Sequence, residues 1–178
     1  MAERRQSLTN DERRVHAQSA AALLLSLPEL AGAGVVSGYV AAKGELDPAA
    51  ALAGARARGA TVVLPRVAEP ARLCFHVVES DAELRPGKFG LVEPDAACRE
   101  LPVEEVDVMI VPGLAFDAEG RRLGWGGGYY DAAGARLLGI AVGIGYDFQV
   151  VERCPAGPGD VPVDVVVTDQ RVLRPVRS

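Results

Sequence analysis

Apolar residues along this chain fall into short runs of two different periods, punctuated by glycine and proline. Thr9 and Glu12 form the pattern Thr-x-x-Glu, a capping box in which each side chain satisfies a free backbone N–H of the other. From there to residue 27 the segment predicts a helix with Val15, Ser19, Ala22 and Leu23 on one face, ended by Pro28. Residues 35–40 predict a short strand. Asp47-Pro48 has the form of an N-cap followed by a first-turn proline, and Gly59 that of a closing glycine, so a second helix is predicted over 48–58. Residues 61–64 form a β-branched strand stopped by Pro65, and 73–78 are another strand candidate.

Strand, helix and strand within about 30 residues is the signature of a right-handed parallel crossover. Residues 106–111, Val-Asp-Val-Met-Ile-Val, are nearly continuous apolar sequence, as expected of a central strand covered on both faces. Residues 140–144 and 163–167 repeat that character. No linker, repeat or low-complexity tract interrupts the chain, and the expectation is one three-layer α/β domain over residues 1–178.

Composition narrows this picture. The chain has 178 residues, 49% of them hydrophobic, which suffices for one packed core, and 5% aromatic, so that core rests on Val, Leu, Ile and Ala. A formal charge of −5 argues against a nucleic-acid partner, whose phosphates call for Lys and Arg. Lysine occurs only at Lys43 and Lys88, so a local anion site is expected to use arginine, whose rigid fork suits phosphate and carboxylate oxygens.

Cys74, Cys98 and Cys154 form no close pair, which predicts reduced thiols in a cytoplasmic protein. His16 and His76 are too far apart in sequence to suggest a His-rich metal site. The apolar run 20–25 follows Arg4-Arg5, but Asp11 and Glu12 lie between them, against a signal peptide. The run is also far too short to span a bilayer. A first helix, a monomer and no membrane partner are expected.

The chemistry is concentrated in residues 106–131, VDVMIVPGLAFDAEGRRLGWGGGYYD. A buried strand leads into a turn, a basic pair, a glycine cluster, two tyrosines and an acid. In open α/β sheets, ligands bind beyond the carboxyl ends of strands, where this loop falls. Gly124, Gly126, Gly127 and Gly128 lack Cβ atoms, so their backbone can reach φ > 0 and bring N–H groups close to phosphate oxygens. A helix over 128–136 adds a partial positive charge at its N-terminus. The loop is neither a P-loop, since GxxxxGK[ST] is absent, nor a dinucleotide fingerprint, since Tyr129 stands at the third glycine's place. The alternative is a flexible glycine linker, against which the Tyr129-Tyr130-Asp131 triplet weighs.

At this point the sequence resembles the 5-formyltetrahydrofolate cyclo-ligase (methenyltetrahydrofolate synthetase) family. The pattern FDxxGxRLGxGxGYYD after a strand ending in Pro-Gly is matched by Phe116-Asp117, Gly120, Arg122-Leu123-Gly124, Gly126, Gly128 and Tyr129-Tyr130-Asp131. Gly44-Glu45-Leu46-Asp47, Leu64-Pro65, Phe89-Gly90-Leu91 with Glu93-Pro94, Gln149, and Val161-Pro162-Val163-Asp164 agree in order, so the resemblance covers nearly the whole chain.

The resemblance implies a three-layer α/β/α Rossmann-like sandwich with a mostly parallel central sheet, binding ATP, Mg2+ and a reduced folate. Its activity would be the ATP-dependent cyclisation of 5-formyltetrahydrofolate to 5,10-methenyltetrahydrofolate. It places ATP on Arg122, Leu123, Gly124, Trp125, Gly126, Gly127, Gly128, Tyr129 and Tyr130, with Arg122 and Tyr129 as candidate catalytic residues. Asp131 and Asp160 are the candidate metal ligands, hard carboxylates of the kind Mg2+ prefers. Val40, Glu45, Phe89, Trp125 and Tyr129 are the candidate substrate contacts. Glu45 suits a pterin, whose amino group and ring N–H can both donate to one carboxylate. Phe89 is either a ring that stacks on substrate or a core phenylalanine.

The chain departs from the family pattern at its opening, Met1-Ala2-Glu3-Arg4-Arg5, where members often carry a basic Lys-x-x-Leu-Arg segment that contacts phosphates. Arg4 and Arg5 are the candidates to take its place. Two rival readings share these residues: a paralogue acting on another ATP-activated substrate, and a non-catalytic folate-binding protein. Retention of both Asp131 and Asp160 favours an enzyme.

Overall fold

The computed structural model describes residues 1–69 and 72–175. In chain order it runs α1 (Ala2–Gln6), α2 (Asn10–Ser26), α3 (Pro28–Ala31), β1 (Val35–Ser37), α4 (Ala49–Ala57), β2 (Thr61–Ala68) and β3 (Arg72–Val77). There follow β4 (Leu84–Pro86), β5 (Val92–Pro94), β6 (Glu100–Leu101), β7 (Val108–Pro112), β8 (Ala115–Phe116) and β9 (Arg122–Leu123). The last elements are α5 (Tyr129–Gly134), β10 (Ile140–Ile144), β11 (Val165–Val167) and β12 (Val172–Leu173).

Eight strands form one sheet in the order β12-β11-β10-β7-β1-β2-β3-β6. The five from β11 to β2 are parallel, while β12 and β3 run antiparallel to their neighbours. The β1–α4–β2 crossover is the parallel unit that the hydrophobic periods predict. Alternation along β7 sends Val108 and Ile110 to one face and Met109 and Val111 to the other. On the first face, Ala20, Leu24 and Leu27 of the α2 region and Ala51, Leu52 and Ala55 of α4 cover Val36, Ile110 and Val142. The second layer is thinner: Ala133 of the six-residue α5 shares it with Phe116, Val103 and Val163, which come from a short strand, a 3-10 turn and a loop.

Several boundaries differ from the sequence expectation for local reasons. The capping box of Thr9 and Glu12 is formed, but the buried stripe of α2 is Ala20, Ala21 and Leu24, while Val15 is 52% exposed. The stripe is chosen by α4, against which Leu25 fills the space above Gly54. Strand β1 ends at Ser37 instead of continuing to residue 40, because the chain turns away after Gly38 donates to the Val63 carbonyl. Pro65 does not stop β2. Thr61 and Val63 bond toward β1 while Val62 bonds toward Val78, so Pro65 directs its missing N–H to the side where β1 has already ended. The central strand is Val108–Pro112 and not 106–111, and the helix expected over 128–136 is only Tyr129–Gly134.

The order around β1 positions the site. From β1 the chain crosses through α4 to β2 on one side, whereas β7 lies on the other side and leads on to β10. The β1/β7 boundary is therefore the topological switch point, where loops leaving the carboxyl ends of adjacent strands diverge and open a crevice. No helix of the described residues is long and apolar enough to cross a membrane.

Candidate active site

A cleft of about 350 Å³ opens at this switch point. Its walls are the loop after β1 (residues 38–47), the glycine loop after β9, the 87–93 turn and the 157–161 turn. Val40, Glu45, Phe89, Arg122, Gly124, Trp125, Gly126, Gly127, Gly128, Tyr129, Tyr130, Asp131 and Asp160 all line it. Of the loop residues that the resemblance places on ATP, only Leu123 does not, since it belongs to the β8–β9 hairpin and its carbonyl accepts from Leu114 N–H at 2.7 Å.

The hairpin explains the front half of the motif. Asp117 is fully buried and accepts from the backbone N–H of Glu119 and Arg121 at 3.0 Å each, of Cys154 at 2.8 Å, and from Arg121 Nε at 2.6 Å. Burial works to raise its pKa, but the Cys154 N–H and the Arg121 contacts outweigh it and hold the carboxyl below its ordinary range. Phe116 is fully buried in the second core. Both residues build the hairpin from which Arg122 reaches the cleft.

Arg122 Nη2 donates to both oxygens of Asp131, each at 3.1 Å, and the guanidinium lies 5.7 Å from the Tyr130 ring centre. Asp131 Oδ1 also accepts from Val161 N–H at 3.2 Å, which brings the Asp160 turn against α5. Asp160 Oδ2 accepts from Gly157 N–H at 2.7 Å. Among the described residues no group of three or more His, Cys, Asp and Glu gathers into a metal cage. Two carboxylates on one cleft instead fit an ion held partly by phosphate oxygens, the mode usual for Mg2+. Gly126 and Gly128 have φ of +85° and +66°, the left-handed backbone that side-chain-bearing residues avoid.

On the opposite wall, Lys43 and Gly44 are both left-handed, with φ of +51° and +75°, and fold the loop so tightly that Glu45 N–H donates to Ala42 O at 2.9 Å. Glu45 Oε2 accepts from Ala42 N–H at 3.0 Å, and Oε1 has no protein partner among the described residues. Burial raises the Glu45 pKa above its ordinary 4.5, opposed by the Ala42 N–H and by the charges of Arg5 and Lys43. Tyr39 locks the loop by donating to Leu46 O at 2.5 Å. The Tyr130 phenol is pushed well above its usual range by burial, with Glu45 adding and Arg122 opposing, so it stays protonated.

Aromatic rings form the mouth. Phe89 is 66% exposed with φ of +58°, and its ring centre lies 6.3 Å from that of Tyr129. A bulky residue in that conformation is strained, which marks a held position and not a packed core side chain. Trp125 is 60% exposed, with Lys43 Nζ 4.9 Å from its ring centre. Neither Arg4 nor Arg5 lines the cleft: Arg4 sits 4.2 Å over the Phe148 ring, and Arg5 is buried behind the wall. Sequence reading missed Tyr39 and Lys43, although both neighbour residues it had chosen, and it had no means of placing Arg5.

An open, mostly parallel sheet with two loops facing one another over a cleft at its switch point places the chain among α/β proteins built to take a small molecule there. Within that class, the chain belongs to the 5-formyltetrahydrofolate cyclo-ligase family, whose model matches residues 1–169. It is 33% identical over 177 residues to 5-formyltetrahydrofolate cyclo-ligase of Escherichia coli strain K12, covering 96% of this chain and 97% of that protein. The solution structure of 5,10-methenyltetrahydrofolate synthetase from Aquifex aeolicus superimposes with a TM-score of 0.85 at 40% identity, covering 99% of this chain and 91% of the other. The structure of the 5,10-methenyltetrahydrofolate synthetase from Mycoplasma pneumoniae shares the fold, with a TM-score of 0.77 at 21% identity over 95% and 94% of the two chains.

Proposed function

We propose that this chain catalyses the ATP-dependent cyclisation of 5-formyltetrahydrofolate to 5,10-methenyltetrahydrofolate, releasing ADP and phosphate. Family membership supports the reading, and one observation carries it to the residues. The Arg122–Asp131 loop and the Glu45 loop, which leave different strands, face one another across a single cleft.

In this reaction the formyl oxygen on N5 attacks the γ-phosphorus and ADP departs. The formyl carbon, now bearing a phosphate ester, is electrophilic. N10 adds to it and loses its proton, and the C–O bond breaks to release phosphate and leave the methenyl bridge. The protein contributes mainly position and charge stabilisation. Arg122 and the amides of the 124–128 loop neutralise and orient the transferred phosphoryl group. Glu45 Oε1 accepts from the pterin and turns N5 and N10 toward that group, while Phe89, Trp125 and Tyr129 exclude water at the mouth. Asp131 and Asp160 are the residues that would hold Mg2+ with the nucleotide. When bound, the ion supplies further charge neutralisation at the phosphate oxygens. A cytoplasmic location is part of the same proposal.

The test is the absorbance of the methenyl product after mixing purified protein with 5-formyltetrahydrofolate and Mg2+, with and without ATP. Growth of that absorbance only with ATP is expected. Its absence in both mixtures would return the chain to a paralogue with another substrate, or to a binding protein.

A further inference from the structure

Arg5 is an ionised group in a place where ionised groups are unfavourable. It is 1% exposed, has no ion pair among the described residues, and leaves its Nε without a hydrogen-bond partner. Burying a guanidinium with no directly paired carboxylate opposes folding, even with the Glu45 charge nearby, so packing alone does not explain the residue.

What Arg5 does touch is specific. Nη1 donates to the carbonyl of Gly113, in the turn that ends β7, and Nη2 donates to the carbonyl of Lys43, two residues before Glu45, both at 3.3 Å. Gly113 O is also gripped by Gln149 Nε2 at 2.8 Å, so one end of the bridge is anchored. At the other end, the Arg5 carbonyl oxygen lies 3.1 Å from where a Cβ on Gly44 would sit, so the backbone of α1 packs directly on the Glu45 loop. The guanidinium also lies 5.9 Å from the ring centre of Trp125 in the glycine loop. One side chain thus bonds to the Glu45 loop and to the turn after β7 and lies near the glycine loop, from behind the cleft and without lining it.

We propose that Arg5 is a positioning residue that fastens the Glu45 loop to the turn after β7 across the switch point. Resting on the reaction proposed above, it sets the spacing between the bound pterin and the transferred phosphoryl group. A planar fork with separated donors can span two carbonyls on different loops, whereas an ammonium reaches one. The requirement for spacing is steep, since a misplacement of about 1 Å between reacting groups costs on the order of a hundredfold in rate.

The test compares wild type with Arg5→Met and Arg5→Lys in three measurements. Hydrogen exchange on the ligand-free protein reads the tie itself. Residues 40–46 and 112–115 should exchange faster in both variants, with the rest of the sheet unchanged. Fluorescence of Trp125, the only tryptophan in the chain, reads binding of ATP and of 5-formyltetrahydrofolate separately, and each should stay close to wild type. The kcat at saturation should then fall on the order of a hundredfold in both variants, a split between kcat and binding that a merely structural residue does not produce. If Arg5→Met does not fold, Arg5→Lys, which keeps the charge and one carbonyl, decides by the same split. Unchanged exchange in the two loops, or a lowered melting temperature with kcat preserved, overturns the proposal. A wild-type protein that makes no methenyl product overturns the reaction instead, and the exchange measurement still decides whether Arg5 ties the loops.

Discussion

Arg122 and Asp131 hold each other through one guanidinium nitrogen placed 3.1 Å from both carboxylate oxygens, on opposite ends of the glycine loop. The pair is largely shielded, with side chains 8% and 21% exposed. In the proposed reaction the same two residues face the phosphates and the metal, so nucleotide binding has to share out this contact. Asp131→Asn should lower turnover by on the order of a hundredfold at saturating ATP. It should not weaken ATP binding measured by calorimetry without Mg2+, because a carboxylate that repels phosphate has been removed. Near-wild-type turnover at limiting Mg2+ takes Asp131 out of the metal site. Asp160→Asn should act in the same direction with a smaller effect.

The glycine loop allows a sharper test than a simple loss of function. Nothing lies within 4 Å of a Cβ on Gly126 or Gly128, so a Cβ there has open space and it is the positive φ that opposes a side chain. Gly128→Val should therefore strain the backbone by about 1–3 kcal/mol and weaken ATP binding, with little change for folate. Gly128→Asn, which tolerates the left-handed region, should retain much more of the ATP affinity. Equal ATP affinity in the Val, Asn and wild-type proteins would falsify a conformational role for Gly128.

Glu45 predicts a pH dependence. In the proposed reaction folate recognition uses the ionised carboxylate, and burial raises its pKa above 4.5 in spite of the Ala42 N–H and of Arg5 and Lys43. As pH falls, the folate kcat/KM should therefore decline earlier than for an ordinary carboxylate and should be constant above that limb. Glu45→Gln should abolish the limb and weaken folate binding by about 2–3 kcal/mol, since an acceptor is replaced by a donor facing a donor. ATP affinity should hardly change. A parallel loss of both ligands would show that Glu45 supports the loop and not the pterin.

Phe89 stands at the lip of the cleft with its ring against Tyr129. Phe89→Ala should lower folate affinity by roughly tenfold, the value of a lost aromatic stack. Thermal stability should change little, because the ring is mostly exposed. A large drop in melting temperature with normal folate affinity would place Phe89 in the fold and not in the site.

Local physics was legible in the residues. Thr9 and Glu12 announce the start of α2 because both halves of a capping box lie within four residues of each other. The β1–α4–β2 crossover could be read because its periods of two and 3.6 are properties of neighbouring positions. The loop from Arg122 to Asp131 was legible for a related reason: left-handed glycines beside tyrosines and an acid carry their backbone constraint in the sequence itself.

Other features were decided by partners distant in the chain. Which face of α2 is buried depends on α4, and whether Pro65 ends a strand depends on where β1 has stopped. Whether Phe89 is core or rim depends on the far-off glycine loop, whose Tyr129 ring it rests against at the mouth of the cleft. Arg5 is the clearest case. In sequence it is the second of two arginines near the start, with nothing to distinguish it from Arg4. Only the sheet order places the loop after β1 beside the turn after β7, 108 residues from Arg5 at Gly113, and so lets one buried guanidinium join them. The sequence by itself determined the main elements and the backbone character of the glycine loop, since these rest on contacts within a few residues. The tertiary structure alone decided how the loops are spaced, since a hydrogen bond between loops of different strands exists only once the strands are side by side.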